Sequence, residues 1–161
     1  MRRIITATVK DSSGVLNRVT GLLSKRGFNI NSITVGGTET AGISKMTFEV
    51  NITSPSQSEQ VIKQLNKQID VIKVMDITDQ QIVARELALI KVTTTPTTRH
   101  EIYGVINPFR ARVLDVAKDS LTIEVTGKTD KVDAIIDLLS SYGIKELART
   151  GITAFPRGKN K

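Results

Sequence analysis

At 161 residues the chain has room for one medium domain or two of about 80 residues, and its 39% hydrophobic content is enough for packed cores. The absence of Cys excludes disulfides and thiolate metal sites and suits a reducing compartment, and a single His argues against a His-based metal centre or catalytic triad. The net charge of +7 reads first as solubility, then as docking on an acidic protein surface, and only third as nucleic-acid binding, because no basic cluster is interleaved with stacking aromatics.

The chain opens Met1-Arg2-Arg3-Ile4 and runs straight into a strand pattern, with no signal-peptide core. No apolar run approaches the ~20 residues of a membrane span. The expectation is a mature cytoplasmic chain that touches neither membrane nor nucleic acid. Residues 3–10 alternate as a strand (Ile5, Ala7, Val9), and residues 14–26 carry Val15, Val19, Leu22 and Leu23 at helical spacing. Ser12 or Ser13 is the expected N-cap, and Gly27 the expected residue just past the helix end. A strand over 29–36 alternates Ile30, Ser32 and Thr34 against Asn31, Ile33 and Val35. Gly36-Gly37 turns the chain; a phosphate-cradling loop is the weaker reading, since no GxGxxG or Walker pattern follows. A strand over 43–52 places Met46, Phe48, Val50 and Ile52 on one face. Ser54-Pro55-Ser56 opens a helix with Val61, Ile62 and Leu65 at core spacing, and a strand over 70–77 follows.

The same order then recurs. A strand over 83–94 sets Leu87 and Leu89 against Ala88, Ile90 and Val92, and a helix over 98–107 is ended by Pro108. Strands over 111–117 and 120–126 are joined by a tight turn at Lys118-Asp119. A helix over 129–141 carries Val132, Ile135, Ile136 and Leu139, and a last strand spans 144–153. The tail from Arg157 to Lys161 is expected to fray. The short polar stretch Thr78-Asp79-Gln80-Gln81 divides the chain into residues 1–78 and 79–161.

Each half is a βαββαβ unit, so the fold class is α+β: two tandem ferredoxin-like domains, antiparallel sheets with helices on one face. The opposite sheet face has to find cover, and Ile4, Asn31, Ile33 and Val35 cannot all face one core. Self-association through sheets or sheet edges, as at least a dimer, is expected.

Asp11-Ser12-Ser13-Gly14-Val15-Leu16 is the most informative stretch. It joins a strand to a helix whose start has free N–H groups and a partial positive charge, a setting that favours an anion. Gly14 lets the backbone approach whatever lies above it, and Asp11 adds a negative charge just upstream. Adjacent features of opposite sign suit a zwitterion such as a free amino acid. Elsewhere, His100 reads as an exposed helix residue rather than an acid–base catalyst. Asp130 and Asp133 read as acids near a helix start rather than as metal ligands with Glu124. Arg149 either docks a partner carboxylate or pairs within its own sheet.

The run Lys10 to Val19, followed by Lys25-Arg26-Gly27-Phe28-Asn29-Ile30-Asn31-Ser32, resembles the amino-terminal ACT domain of the regulatory (small) subunit of acetohydroxyacid synthase, also called acetolactate synthase. Gln68 to Val74 resembles that family's fourth strand, Arg85 to Val92 the start of its second domain, and Glu146-Leu147-Ala148-Arg149-Thr150-Gly151 its closing signature. The resemblance implies an ACT domain followed by a second, ACT-like domain. It implies a subunit without catalytic activity that activates a separate catalytic subunit, which uses thiamine diphosphate, FAD and Mg²⁺, and that confers feedback inhibition by valine. It also implies a homodimer through the ACT domains.

Residue by residue, the resemblance turns the backbone N–H groups of Gly14, Val15 and Leu16, behind Ser12 and Ser13, toward the effector carboxylate. It assigns the side chain at Asp11 to the ammonium, and Asn29 with the Ile30 backbone to completing the site from the facing ACT domain. Asp11 and an ammonium about 4 Å apart would attract by roughly 4 kcal/mol at an effective dielectric of 20. Val15, Leu16 and Ile30 would hold an isopropyl group. The family often has Asn at Asp11 and Glu-Pro at Ser12-Ser13; Asp strengthens the ammonium contact and weakens the carboxylate contact. Rival readings of the same topology are a stand-alone amino-acid-sensing or RNA-binding module, which for RNA lacks aromatics on the central strands, and an acylphosphatase-type hydrolase, which lacks the phosphate-binding Arg loop.

Overall fold

The element order follows the two sequence periodicities closely. The computed structural model describes residues 1–158; Lys159, Asn160 and Lys161, the end of the tail expected to fray, lie outside the described residues. The elements are β1 (Arg2–Lys10), α1 (Val15–Lys25), β2 (Asn29–Gly37), β3 (Ile43–Asn51), α2 (Pro55–Asn66), β4 (Val71–Asp76), β5 (Ile82–Thr93), α3 (Pro96–Ile106), β6 (Arg112–Val116), β7 (Ser120–Gly127), α4 (Thr129–Ser140), β8 (Ile144–Arg149) and β9 (Thr153–Pro156). They form two compact units: Met1–Val83 together with the described residues from Ile152 onward, and Ala84–Gly151.

In the first unit the strand order is β2-β3-β1-β4, all antiparallel. Ile5, Ala7 and Val9 of β1 lie beside Phe48, Met46 and Ser44 of β3, and α1 and α2 cover that face with Val15, Val19 and Leu23 and with Val61 and Leu65. The α1 residues recur every four positions, a single apolar stripe. Gly27 ends α1 as expected, at φ +73: its N–H donates to the Ser24 carbonyl (3.0 Å), while the Phe28 N–H donates to the Leu23 carbonyl (3.0 Å). This is a Schellman motif, with Phe28 and Leu23 supplying its apolar contact in the core. Near the end of β4, burial alone would raise the Asp76 carboxyl. Hydrogen bonds from Ser58 and Thr78 and the nearby Arg3 guanidinium outweigh it and hold the carboxyl below the usual aspartate value.

Three features depart from the sequence pattern, the first being that Gly36 and Gly37, expected to turn the chain, stay in β2 and pair with Lys45 and Ser44 of β3. Strict alternation in β2 fails at a bulge between Ile30 and Ser32, so Ile30 faces Val50 and Ile33 faces Phe48, and both pack on the core while Asn31 is left out of the register. The extra residue changes the parity of the strand. The last strand, expected over 144–153, is two: β8 stops at Arg149, Gly151 takes φ +80, and β9 pairs with β5. The Thr34 hydroxyl donates to the Ile152 carbonyl. Ile152 and Ala154 are buried, as are Thr6 and Thr47, which pair across β1 and β3 on the face turned away from the helices. The chain's own returning segment therefore supplies part of the cover for that face. Arg157 is held, its N–H donating to the Gln81 carbonyl (2.7 Å) and its Nε to that of Ile82 (3.2 Å).

In the second unit the order is β6-β7-β5-β8. Ala88, Ile90 and Val92, with Leu121, Ile123 and Val125, pack against Ile102 and Ile106 of α3 and Val132, Ile135 and Leu139 of α4. The β6–β7 turn closes with the Ala117 N–H donating to the Ser120 carbonyl (2.9 Å). Helix α3 starts earlier than expected, with Pro96 in its first turn, and Pro108 sits within a 3-10 turn, Asn107–Phe109, rather than outside the helical segment. Proline has no N–H to lose at a helix start, so it marks the first turn well.

Arg149 resolves to internal pairing. Its Nε donates to Glu86 Oε1 (2.8 Å), and its Nη1 meets Asp133 Oδ1 at 2.8 Å. Partial burial would lower the guanidinium's affinity for its proton, but Glu86 and Asp133 outweigh that and raise it. Asp133 is thus an ion-pair partner, and among the described residues no group of three or more acids or His gathers as a metal site.

Candidate functional site

Where β1 hands over to α1, the chain has to turn without losing contact with the sheet. The Lys10 N–H donates to the Asp70 carbonyl (2.8 Å), the Asp11 N–H to the Gly42 carbonyl (2.8 Å) and the Ser12 N–H back to the Lys10 carbonyl (3.0 Å). Gly14 then takes φ +81, ψ 2, the left-handed region that glycine enters without a Cβ penalty. It is Gly14, not Ser12 or Ser13, that caps α1, and no side chain caps the helix. The Ser12 hydroxyl and the Ser13 backbone carbonyl both accept from Arg18. A serine cap needs its hydroxyl over the first-turn N–H groups, and here that position is left open.

Above this helix start lies a cleft of about 550 Å³, lined by Asp11, Ser12, Gly14, Val15, Leu16, Asn17, Thr20, Val35, Ser44 and Met46. The Val15 N–H donates to the Ser12 carbonyl (3.2 Å) and the Arg18 N–H to the Gly14 carbonyl (2.9 Å), whereas the N–H groups of Gly14, Leu16 and Asn17 have no acceptor among the described residues. Of the three N–H groups the resemblance assigns, then, those of Gly14 and Leu16 are open and that of Val15 is in use. Unsatisfied first-turn donors with the helix dipole behind them can bind a carboxylate. The Asp11 carboxyl is exposed at the same cleft and can meet an ammonium. Val15, Leu16, Val35 and Met46 supply an apolar wall; Leu16 is 44% exposed although it is large and aliphatic.

Of the eight residues singled out in the sequence, Asp11, Ser12, Gly14, Val15 and Leu16 line the cleft, and Ser13 stands just behind it. Asn29 and Ile30 do not reach it within one chain. Asn29 opens β2 and its Nδ2 donates to Asn31 Oδ1 (3.0 Å), while Ile30 packs on the core. The residues the sequence reading missed are Asn17, Thr20, Val35, Ser44 and Met46. A signal for one of them was present: Thr20 follows Leu16 at helical spacing, four residues on. Val35 and Met46 are opposite each other in the β2–β3 register, which no local pattern shows.

Comparison with known proteins gives the family of both halves. Residues 5–73 match the family described as "AHAS small subunit-like ACT domain", and residues 85–158 the family described as "Small subunit of acetolactate synthase". The "Acetolactate synthase small subunit" of Bacillus subtilis (strain 168) is 63% identical over 158 residues, covering 98% of this chain and 92% of that protein. The "Probable acetolactate synthase small subunit" of Archaeoglobus fulgidus is 53% identical over 161 residues, covering 100% of both. Among solved structures, the acetolactate synthase small subunit of Thermotoga maritima superposes with a TM-score of 0.91 at 37% identity, covering 99% of each chain. No helix among the described residues is long and apolar enough to cross a membrane.

Proposed function

The chain belongs to the acetolactate synthase small-subunit family, a regulatory and not a catalytic place in that enzyme, and we propose that it activates a separate catalytic subunit and makes it sensitive to valine. Thiamine diphosphate, FAD and Mg²⁺ belong, in this reading, to the catalytic partner and not to this chain. The reaction is set in the cytoplasm, in keeping with a chain free of Cys.

The cleft at the uncapped start of α1 is the effector site. The open N–H groups of Gly14 and Leu16 take the valine carboxylate, and Asp11 takes its ammonium. The isopropyl group lies against Val15, Leu16, Val35 and Met46, the residues that form the apolar wall. Asn29 and the Ile30 backbone come from the facing ACT domain of a second copy, so a two-fold dimer holds two equivalent sites. Valine shifts activity only if it binds one arrangement of the complex better than another; a ligand shared between two ACT domains meets that requirement by fixing their placement. Discrimination against leucine or isoleucine rests on about 1–3 kcal/mol for one methylene in an apolar pocket.

One observation carries this reading: a small-subunit ACT domain has a helix start with open donors, an acid beside it and an apolar wall, all in one cleft. The test is to mix the chain with an acetolactate synthase catalytic subunit and follow acetolactate formation while titrating valine. Stimulation on mixing, then inhibition by valine, is the expected result. Valine binding without any effect on acetolactate formation would instead favour a stand-alone sensing module.

A further inference from the structure

Arg18 stands outside the cleft. It lines the neighbouring groove with Asn17, Gly21, Leu22, Lys25 and Gln68. Yet its guanidinium holds the loop that shapes the cleft. Nη1 donates to the Ser13 carbonyl (3.2 Å), Nη2 donates weakly to Ser12 Oγ (3.4 Å), and Nη2 also pairs with the Asp70 carboxylate. The same Asp70 accepts the Lys10 N–H on its backbone carbonyl (2.8 Å), so the α2–β4 connection grips both ends of the segment 10–18. A Cβ on Gly14 would stand 3.0 Å from Arg18 Nη1, which places the guanidinium directly against the left-handed turn.

We propose that Arg18, set in place by Asp70, is a positioning residue for the effector loop: it draws the Ser12 hydroxyl and the Ser13 carbonyl away from the helix start, so that the N–H groups of Gly14 and Leu16 stay open to the cleft. The physical reason is competition. A serine one or two residues before a helix readily turns its hydroxyl over the first-turn donors and caps them itself. A self-capped helix has fewer donors left for a carboxylate. Here the hydroxyl of Ser12 and the carbonyl of Ser13 are both engaged by Arg18, and α1 is left without a side-chain cap. With the Arg18 side chain 44% exposed and that of Asp70 16%, the pair is partly screened by water and contributes modestly to folding. Its effect is therefore read in ligand affinity. Lys cannot replace it fully, because two parallel donors from one planar group are needed to span Ser13 and Asp70.

This inference rests on the cleft being the valine site, and the experiment separates the two. Valine binding is titrated by calorimetry on the full chain, with melting followed by circular dichroism, for the wild type, Arg18→Ala, Arg18→Lys, Asp70→Asn, the double variant Arg18→Ala/Asp70→Asn, and Gly14→Asp. Arg18→Ala and Asp70→Asn are each expected to weaken valine binding about tenfold, and the double variant no further than either single change, as residues acting through one contact are non-additive. Arg18→Lys should recover only part of the affinity, and it carries the test if Arg18→Ala does not fold. Wild-type affinity in Arg18→Ala, or losses that add in the double variant, overturns the role of Arg18, and the site stands if Gly14→Asp still abolishes binding. Unchanged binding in Gly14→Asp overturns both.

Discussion

The two units repeat one order of elements, and they treat the junction between first strand and first helix in opposite ways. In the second unit Thr95 caps α3: its Oγ1 accepts the Thr98 N–H (3.1 Å), the Thr98 hydroxyl accepts the Thr95 N–H (2.8 Å), and Pro96 removes another donor. At that helix start two donors are satisfied from within and a third is removed by the proline. In the first unit the corresponding turn is made by a left-handed glycine, no side chain caps α1, and among the described residues nothing accepts from the N–H groups of Gly14, Leu16 and Asn17, beside an acid and an apolar wall. A capping box stabilises its helix, and an open start leaves donors for a ligand. The repeat thus has one junction built for stability and one left available for binding.

The ion pairs divide along the same line. Glu86, with a side chain 3% exposed, is bound by Arg149 and approached by the Thr129 hydroxyl (3.3 Å), tying β5, β8 and α4 together. Arg18 and Asp70 tie the first turn of α1 to the α2–β4 connection, nearer the surface.

The largest effect that could break this contrast is at Arg149. Arg149→Ala strands a buried carboxylate and is expected to cost roughly 2–3 kcal/mol in urea unfolding, below the full cost of a buried pair because the guanidinium is itself partly open to water. A loss no larger than that of Arg18→Ala would remove the distinction between the two pairs. Next comes Gly14→Asp, which puts a side chain at φ +81 against Arg18 and a carboxylate at the anion position. Valine inhibition of the reconstituted enzyme should become undetectable across at least a hundredfold range of valine, about 2.7 kcal/mol of lost binding. Inhibition at wild-type concentrations would detach the junction from the effector.

The two caps give a smaller and sharper comparison. Thr95→Ala should destabilise by about 1 kcal/mol, whereas Ser13→Ala should stay within roughly 0.5 kcal/mol, because only the threonine caps a helix. Equal losses in melting experiments would mean that Ser13 caps α1 in solution. The smallest effect is acid sensitivity. The folded state holds Asp76 below the ordinary aspartate value of about 3.9, so its contribution is complete above that pH and is lost as pH falls toward the folded value. Asp119 in the second unit is also held low, by a hydrogen bond from Lys145 at the surface. Asp76→Asn should flatten the fall in urea stability between pH 5 and pH 3 (roughly the span over which a shifted aspartate titrates) at any salt concentration. The part due to Asp119 should fade with added salt.

The elements were legible because helices and strands write their periods locally: Val15, Val19 and Leu23 mark one stripe, and Met46, Phe48 and Val50 one strand face. The loop chemistry of Asp11, Gly14 and Leu16 was legible for the same reason, since a strand, a glycine and a helix start adjoin in the chain. The bulge at Asn31 was not, because an inserted residue shows only against a partner strand. Nor was the capping role of Gly14, in a turn where Arg18, four residues further on, holds the Ser12 hydroxyl and the Ser13 carbonyl.

By itself the sequence determined two βαββαβ units, their helix stripes, the helix end at Gly27 and a glycine turn from the first strand into the first helix. All of these follow from interactions among residues a few positions apart. Tertiary structure alone decided that Val35 and Met46 wall the cleft, that Arg149 is occupied by Glu86 and Asp133, and that the segment after Gly151 returns to cover the first sheet, where Thr34 meets Ile152. Those contacts join residues far apart in the chain, and their partners are chosen by which faces remain to be buried once the local elements have formed.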